Sequence, residues 1–304
     1  MRPVVLMSTF NGSRHVAQQI ESILTQLPEN GRLFIRDDGS SDATVNIARA
    51  ASDQRVSIFC GQNLGFAQSF LQLLRSAPDD ADFYALSDQD DVWLPGKLDR
   101  AWEFLEPLQN DVALYCARAT LTDPTLRPIG LTPLHLPAKD LRHAFLQNIA
   151  TGCTMAMTKP LKELATRAGP DAQIGFHDWW LYVVATAFGT VIFDAQSKTL
   201  YRQHGTNAIG MSGGILRYVR ILRYLMKNNW LQIANRQIGE FCKTFEAHLT
   251  AEQYSDIRAL QKESGELNRM GILFSPNPVA NTLIADTLLR ALVTLDPRDT
   301  KGNV

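Results

Sequence analysis

Two acidic clusters carry most of the chemistry in this chain. Asp37-Asp38-Gly39-Ser40-Ser41-Asp42 follows the apolar run Leu33-Phe34-Ile35, and Asp88-Gln89-Asp90-Asp91 follows Phe83-Tyr84-Ala85-Leu86. Each cluster closes a segment of strand length. In an open α/β sheet, ligands gather at the carboxyl ends of the strands. Carboxylates crowded there repel one another unless a cation or hydrogen-bond donors sit among them. A hard divalent cation takes all-oxygen ligands of this kind. The pattern therefore predicts a site for a metal-bound phosphate ester.

The two clusters differ in how well a plain turn explains them. Asp, Gly and Ser are the usual turn residues, so Asp37 to Ser40 also reads as a strand-to-helix turn with an N-cap. A carboxylate there could equally accept from a nucleobase N–H or a ribose hydroxyl. Three carboxylates among residues 88–91 are harder to account for without a partner. In extended backbone Asp88 and Asp90 point the same way. That suits one on a ribose or a metal-bound water and the other on the metal.

Two later segments add candidates. In His177-Asp178-Trp179-Trp180 an acid at a helix start suits the helix dipole, which is the plain structural explanation. The two tryptophans also read as an apolar wall that excludes water, a setting in which a carboxylate becomes a better base. In Tyr201-Arg202-Gln203-His204-Gly205-Thr206-Asn207, His204 could ligate a metal or donate to a diphosphate, and Arg202 could neutralise one. A single histidine is more often structural than a ligand.

Alternating strands and helices must position these residues. Apolar runs predict strands at Pro3 to Met7, Arg32 to Arg36, Arg55 to Cys60 and Asp82 to Ser87, then at Val112 to Cys116 and Cys153 to Met157. Helical spacing places Val16, Ile20, Ile23, Leu24 and Leu27 on one face, and Phe66, Phe70, Leu73 and Leu74 on another. Asn63-Leu64-Gly65 is a turn, and Pro95 suits the first turn of a helix. His177 to Phe188 reads as a helix, with short strands at Thr190 to Phe193 and Thr199 to Arg202. This order implies a mainly parallel sheet with helices on both faces. Residues 120–139 are rich in Pro and Leu and lack a period, so they read as a long functional loop. Beyond Gly213-Gly214 the pattern is mostly helical.

Composition removes several alternatives. The 304 residues, 45% hydrophobic, suffice for a sizeable core, and a net charge of -1 gives no general argument for a nucleic-acid partner. Cys60, Cys116, Cys153 and Cys242 form no C-x-x-C pair and read as reduced thiols of a cytoplasmic protein. The run Met1 to Leu6 is too short for a signal peptide, and no apolar stretch approaches the roughly 20 residues of a membrane span.

Taken in order, seven segments resemble an inverting family 2 glycosyltransferase of the GT-A fold, nearest to bacterial rhamnosyltransferases of surface polysaccharide synthesis. They are Ser8-Thr9-Phe10-Asn11-Gly12, Arg36 to Asp42, Asn63-Leu64-Gly65, Ser87-Asp88-Gln89-Asp90-Asp91-Val92-Trp93, Thr151-Gly152-Cys153-Thr154-Met155, His177-Asp178-Trp179-Trp180 and Tyr201-Arg202-Gln203-His204-Gly205. The resemblance covers residues 3 to 207. It implies an α/β, Rossmann-like catalytic domain over residues 1–209, with a nucleotide-sugar half at 1–110, an acceptor half at 111–209, and a helical region at 210–304.

The resemblance also implies roles. Thr9, Asn11, Asn63 and Gly65 would lie at the nucleotide-sugar, Asp38 would bind the base, and Asp88 would hold the ribose or a metal-bound water. Asp90 would ligate Mg²⁺ or Mn²⁺, and His204 would complete the metal or diphosphate site, with Arg202 beside the diphosphate. Gly152 would leave room for donor sugar or acceptor. Asp178 would be the general base, with His177, Trp179 and Trp180 as acceptor contacts. Family members usually carry an acidic pair, often Glu-Asp, where this chain has His177-Asp178. The implied reaction moves a sugar from a nucleotide-sugar donor to a glycan acceptor, lipid-linked or free, with inversion. L-rhamnose from dTDP-rhamnose is the first donor choice and a UDP-hexose the second.

Two other classes stay in view. A nucleotidyltransferase would be expected to place a basic Gly-rich loop where this chain has Thr9-Phe10-Asn11-Gly12. A non-catalytic nucleotide-sugar-binding scaffold would not need Asp178. In the last third, Arg217, Arg220, Arg223 and Lys227 alternate with Ile215, Leu216, Val219, Leu222, Leu225 and Met226. This reads either as a helix packed on the catalytic domain or as a basic amphipathic helix on an anionic membrane, on the inner face of the cytoplasmic membrane. Residues 280–295 read as a packing or homodimer helix.

Overall fold

The computed structural model describes residues 1–203, 229–262, 267–275 and 283–295, with isolated positions between the later segments. His204 and most of the basic stretch that begins at Arg217 lie outside the described residues. The chain forms two compact units. One comprises Met1–Pro137, Ile149–Asp171 and Phe176–Gln203, and the other Ala138–Asn148, Ala172–Gly175 and His204–Val304.

In the first unit the strands are β1 (Pro3–Thr9), β2 (Arg32–Asp37), β3 (Val56–Cys60), β4 (Phe83–Ser87), β5 (Val92–Trp93), β6 (Ala113–Ala117), β7 (Thr120–Thr122), β8 (Pro128–Leu131), β9 (Ala156–Met157), β10 (Thr190–Asp194) and β11 (Thr199–Arg202). Among the described residues seven of them form one sheet in the order β10-β6-β9-β4-β1-β2-β3. Its pairings are parallel except at β9, which runs antiparallel to β4 and β6. Val4, Val5, Leu6 and Met7 are all fully buried, so β1 is covered on both faces. That explains its continuous apolar run, since central parallel strands do not alternate.

The helices of this unit are α1 (Val16–Leu24), α2 (Thr44–Ala50), α3 (Phe66–Ser76), α4 (Lys97–Leu105), α6 (Lys159–Ala165) and α7 (His177–Phe188); α5 (Leu141–Leu146) belongs to the other unit. A core of Val5, Met7, Ile20, Ile23, Leu33, Ile35, Phe83, Ala85, Trp93 and Leu98 joins α1 and α4 to the sheet.

Residues 120–139 are not the structureless loop expected from their composition. They contain the antiparallel pair β7–β8, which extends a second sheet of order β5-β11-β7-β8. The strands are too short, and too interrupted by Pro and Gly, to show a period. Cys153 to Met157 is also less regular than expected: Gly152–Thr154 forms a 3₁₀ turn, and only Ala156–Met157 pairs as strand.

In the second unit, α5 accompanies α8 (Trp230–Phe245), α9 (Ala251–Leu260), α10 (Arg269–Leu273) and α11 (Leu283–Leu295). Phe145 of α5 packs edge-on against Phe241 of α8, with ring centroids 5.3 Å apart. Thr250 and Gln253 make a reciprocal capping box at the start of α9. On α11, Leu289, Leu292 and Val293 are buried while Leu283 and Ile284 are exposed. No helix of the described residues is long and apolar enough to cross a membrane.

Candidate active site

The sheet order places a topological switch between β1 and β4, the point where ligands bind in open α/β sheets. From β1 the chain winds outward through β2 and β3, then crosses to β4 on the other side. Parallel register aligns Thr9 with Asp37 and Met7 with Ser87. Both acidic clusters therefore emerge at the same edge of the sheet.

Gln89 fastens the two sides of this crevice. Its amide accepts from the Phe10 N–H at 2.9 Å and donates to the Phe10 carbonyl at 3.0 Å. A Cβ on Gly12 would fall 2.0 Å from Gln89 Oε1, so only glycine leaves space for this amide. The chain bends at Gln89 and Asp90, so the extended geometry expected to align Asp88 with Asp90 is absent. Asp88 and Asp90 are half-buried, whereas Asp91 turns fully inward.

The second cluster lies in a strongly acidic pocket. Burial, then the charges of Asp91, Asp90 and Asp178, push Asp88 well above the usual carboxylate range. Asp88 is only half-buried, so solvent moderates this rise. Burial and Asp90 likewise raise Asp91, against hydrogen bonds from Cys153 and from the Arg202 N–H. One ligand atom each from Asp88, Asp91 and Cys153 fall within 4.8 Å of one another. Burial and the two carboxylates push the Cys153 thiol well up, so it stays protonated and is a poor ligand. The acceptor oxygens are another matter. Asp88 and Asp91, raised by burial and by their neighbours' charge and acting on the Lys97 ammonium, together with Asp90 and Asp178 beside them, make an oxygen-rich set that fits a hard divalent cation such as Mg²⁺ or Mn²⁺. Asp88, Asp90 and Asp178 are half-buried, and of the set only Asp91 is closed off.

Arg202 does not stand where a diphosphate could reach it. The residue is 3% exposed, and its guanidinium donates to the Asp90 and Pro124 carbonyls and to Gln18 Oε1. It shapes the acidic loop from behind, because a buried guanidinium needs its donors satisfied.

The first cluster is built as a turn. Asp37 accepts from Thr9 Oγ1 at 3.0 Å, Ser40 Oγ at 2.6 Å and the Ser40 N–H at 2.8 Å. Thr9 is buried and committed to this bond, so it supports the site rather than touching a nucleoside. Asp38 pairs with the Arg36 guanidinium and accepts from the Leu64 and Gly65 N–H groups at 2.8 and 2.9 Å. At 2% exposure it does not meet a base directly, as the sequence suggested, but holds the Asn63–Gly65 turn. Gly65 has φ +79°, which favours glycine, and leads into α3. Asn11 and Asn63 are exposed at the crevice, and Asn11 Oδ1 accepts from the Ser41 N–H at 2.9 Å.

The start of α7 brings Asp178 to the acidic pocket, where its charge is felt by Asp88. Asp178 Oδ1 also accepts from the Trp179 N–H at 2.7 Å. The two tryptophans are not acceptor contacts. Trp179 and Trp180 are 1% and 0% exposed, and Trp180 Nε1 donates to the Ala165 carbonyl at 3.0 Å. They anchor α7 in the core, which fixes where Asp178 stands. His177 is buried with both ring nitrogens unpartnered, stacked on Phe70 with centroids 4.0 Å apart, and burial lowers its pKa to about 3. The imidazole is therefore neutral. Gly152 faces this pair: a Cβ there would be 3.0 Å from His177 Nε2 and 3.6 Å from Asp178 Cβ. The room that glycine leaves is taken up by the start of α7.

Sequence reasoning missed Gln89, Asp91 and Lys97. Gln89 and Asp91 lay inside a recognised motif, but a motif does not say which member turns inward. For Lys97 there was no signal beyond its position after Pro95.

A mainly parallel α/β sheet with carboxylates gathered at its switch point is the GT-A architecture, and the described residues of the C-terminal region are helical. The sequence profile of "Glycosyl transferase family 2" matches residues 4–164, and the chain belongs to that family. It is thus a glycosyltransferase. It is 27% identical over 237 residues to "dTDP-rhamnosyl transferase RfbG" of Shigella flexneri, covering 74% of this chain and 80% of that protein. It is 35% identical over 106 residues to "Putative glycosyltransferase EpsE" of Bacillus subtilis (strain 168), covering 34% and 37%. Among solved structures, S. aureus TarS 1-349 in complex with UDP-GlcNAc shares the fold with a TM-score of 0.55 at 13% identity, over 97% of this chain and 91% of that one.

Proposed function

We propose that this glycosyltransferase moves L-rhamnose from dTDP-rhamnose to a hydroxyl of a growing cell-surface glycan, in a single displacement with inversion. One observation carries the reading. Asp178 opens a helix locked by buried tryptophans, and its charge reaches Asp88 at the switch point, so a base and the donor carboxylates share one site. The dTDP-rhamnosyl choice draws on the name of the Shigella relative.

In this scheme residues 1–110 form the donor half, with Asn11, Asn63 and Gly65 along the nucleoside and Asp38 holding their turn. Asp88 takes a ribose hydroxyl or a bound water. A Mg²⁺ or Mn²⁺ ion on Asp90 would neutralise the diphosphate leaving group. Asp178 removes the proton of the acceptor hydroxyl as that oxygen attacks the anomeric carbon from the opposite face. The bond from the anomeric carbon to the diphosphate oxygen breaks in the same step, the nucleoside diphosphate departs, the proton stays on Asp178, and no covalent enzyme intermediate forms. Neutral His177 is not the acceptor contact the sequence suggested: buried and stacked on Phe70, it packs beside Asp178 and helps fix where that carboxylate stands. Residues 210–304 supply a peripheral contact with the cytoplasmic membrane face, where lipid-linked acceptors reside, or a homodimer surface.

A UDP-hexose donor is the second reading, because the same fold holds UDP-GlcNAc in the TarS structure. Hydrolysis of a nucleotide-sugar panel by purified protein with Mn²⁺ separates the two. dTDP-rhamnose should be consumed fastest. Faster loss of UDP-glucose or UDP-galactose would overturn the donor assignment, and no hydrolysis together with no transfer would favour a binding scaffold.

A further inference from the structure

Lys97 is the first residue of α4, yet its side chain points into the protein and the residue is only 5% exposed. Its ammonium donates to the Cys153 carbonyl at 2.9 Å and to Thr199 Oγ1 at 2.8 Å, and it stands 4.8 Å from the centre of the Trp93 ring. Those contacts tie the Gly152–Thr154 turn to β11 beneath the acidic loop. Both hydrogen-bond acceptors are neutral; beside the Cys153 that Lys97 holds, the carboxylates of Asp88 and Asp91 gather within 4.8 Å of one another and of the Cys153 thiol, and their charge opposes the lowering of the Lys97 pKa by burial, to about 8. Burying an ammonium is costly, and a neutral donor would serve as a tie. What distinguishes a lysine here is a positive charge beside a group of carboxylates.

A resident cation weakens the pull of those carboxylates on a second cation. A diphosphate entering from above adds negative charge and restores that pull. We propose that Lys97 is the built-in counter-charge of the acidic site, which keeps its affinity for a free divalent cation low and makes the cation bind together with the donor's diphosphate. Lys97 is on this account a positioning residue, acting through Asp88 and Asp91. The proposal rests on the cation-site reading of Asp88 and Asp90. Cation and nucleotide then strengthen each other's binding by the same factor, as linkage requires.

Titration calorimetry on the full chain tests it, with Mn²⁺ alone, dTDP alone, and Mn²⁺ at saturating dTDP. The wild type should bind Mn²⁺ weakly alone and about tenfold or more tightly with dTDP, in the usual range of coupling between sites. Lys97→Gln removes the charge but keeps a hydrogen-bond donor. It should bind Mn²⁺ about tenfold more tightly, both alone and at saturating dTDP, while Lys97→Arg stays close to wild type. A folded Lys97→Gln protein with unchanged or weaker Mn²⁺ affinity would overturn the proposal. Wild type that binds Mn²⁺ equally well with and without dTDP would overturn it too, whether or not the variant folds. Asp90→Ala separates the premise: if it leaves Mn²⁺ binding unchanged, the cation-site reading fails first.

Discussion

Gly152→Ala tests how tightly the start of α7 is held. The added methyl would lie 3.0 Å from His177 Nε2, and 3.6 Å from His177 Cε1 and Asp178 Cβ. Ordinary contacts begin near 3.5 Å, so something must yield by about 0.5 Å. The imidazole has little freedom to retreat, because it is stacked on Phe70 at an interplanar angle of 23°. Overpacking of this kind costs about 1–3 kcal/mol of stability. The displacement passes to Asp178, the next residue of the same helix. A misplacement of 1 Å can cost about 10²-fold in rate, so half that shift corresponds to roughly tenfold. Urea denaturation and steady-state transfer read the two effects separately. The expected variant is folded, slightly destabilised and about tenfold slower in turnover, with donor affinity retained. Wild-type turnover, or a loss confined to donor affinity, would refute the reasoning.

Two further outcomes follow from buried charge. Arg36→Met strands Asp38, whose side chain is 3% exposed, and should cost about 3–5 kcal/mol in urea denaturation; a loss under about 1 kcal/mol would show that the pair does not hold the Asn63–Gly65 turn. His177, neutral in the fold, is protonated more readily in the unfolded chain, so it contributes to acid lability. Stability should be lost as pH falls from about 6.5 towards 3, by up to about 1.4 kcal/mol per pH unit. His177→Phe should flatten that limb, and an unchanged slope would contradict the burial argument.

The parts of the fold legible in the sequence are those with a strong apolar signal. The runs before Asp37 and Asp88 are central strands, and His177–Phe188 is a helix with the bounds its pattern predicts. The same pattern held a warning about Trp179 and Trp180. The run through Leu181, Tyr182, Val183, Val184 and Ala185 is apolar on all sides, and such helices are buried. Placing the tryptophans as acceptor contacts overlooks it.

Direction of polar side chains was not legible. Arg202 and Thr9 have the residue types of ligand contacts, but tertiary packing turns both inward onto protein acceptors. Lys97 is a case in reverse: lysine at a helix start reads as solvated, and nothing local reveals a buried ammonium. The pair β7–β8 escaped because strands of three and four residues carry too few alternations to count.

The most direct test of the central claim is Asp178→Asn, measured for donor binding and for transfer on the same preparation with Mn²⁺. Asparagine keeps the shape and can still accept from the Trp179 N–H, but it cannot take a proton. The account predicts unchanged donor affinity with turnover lower by about 10²–10⁴-fold. Retained turnover would remove Asp178 as the base and contradict the account.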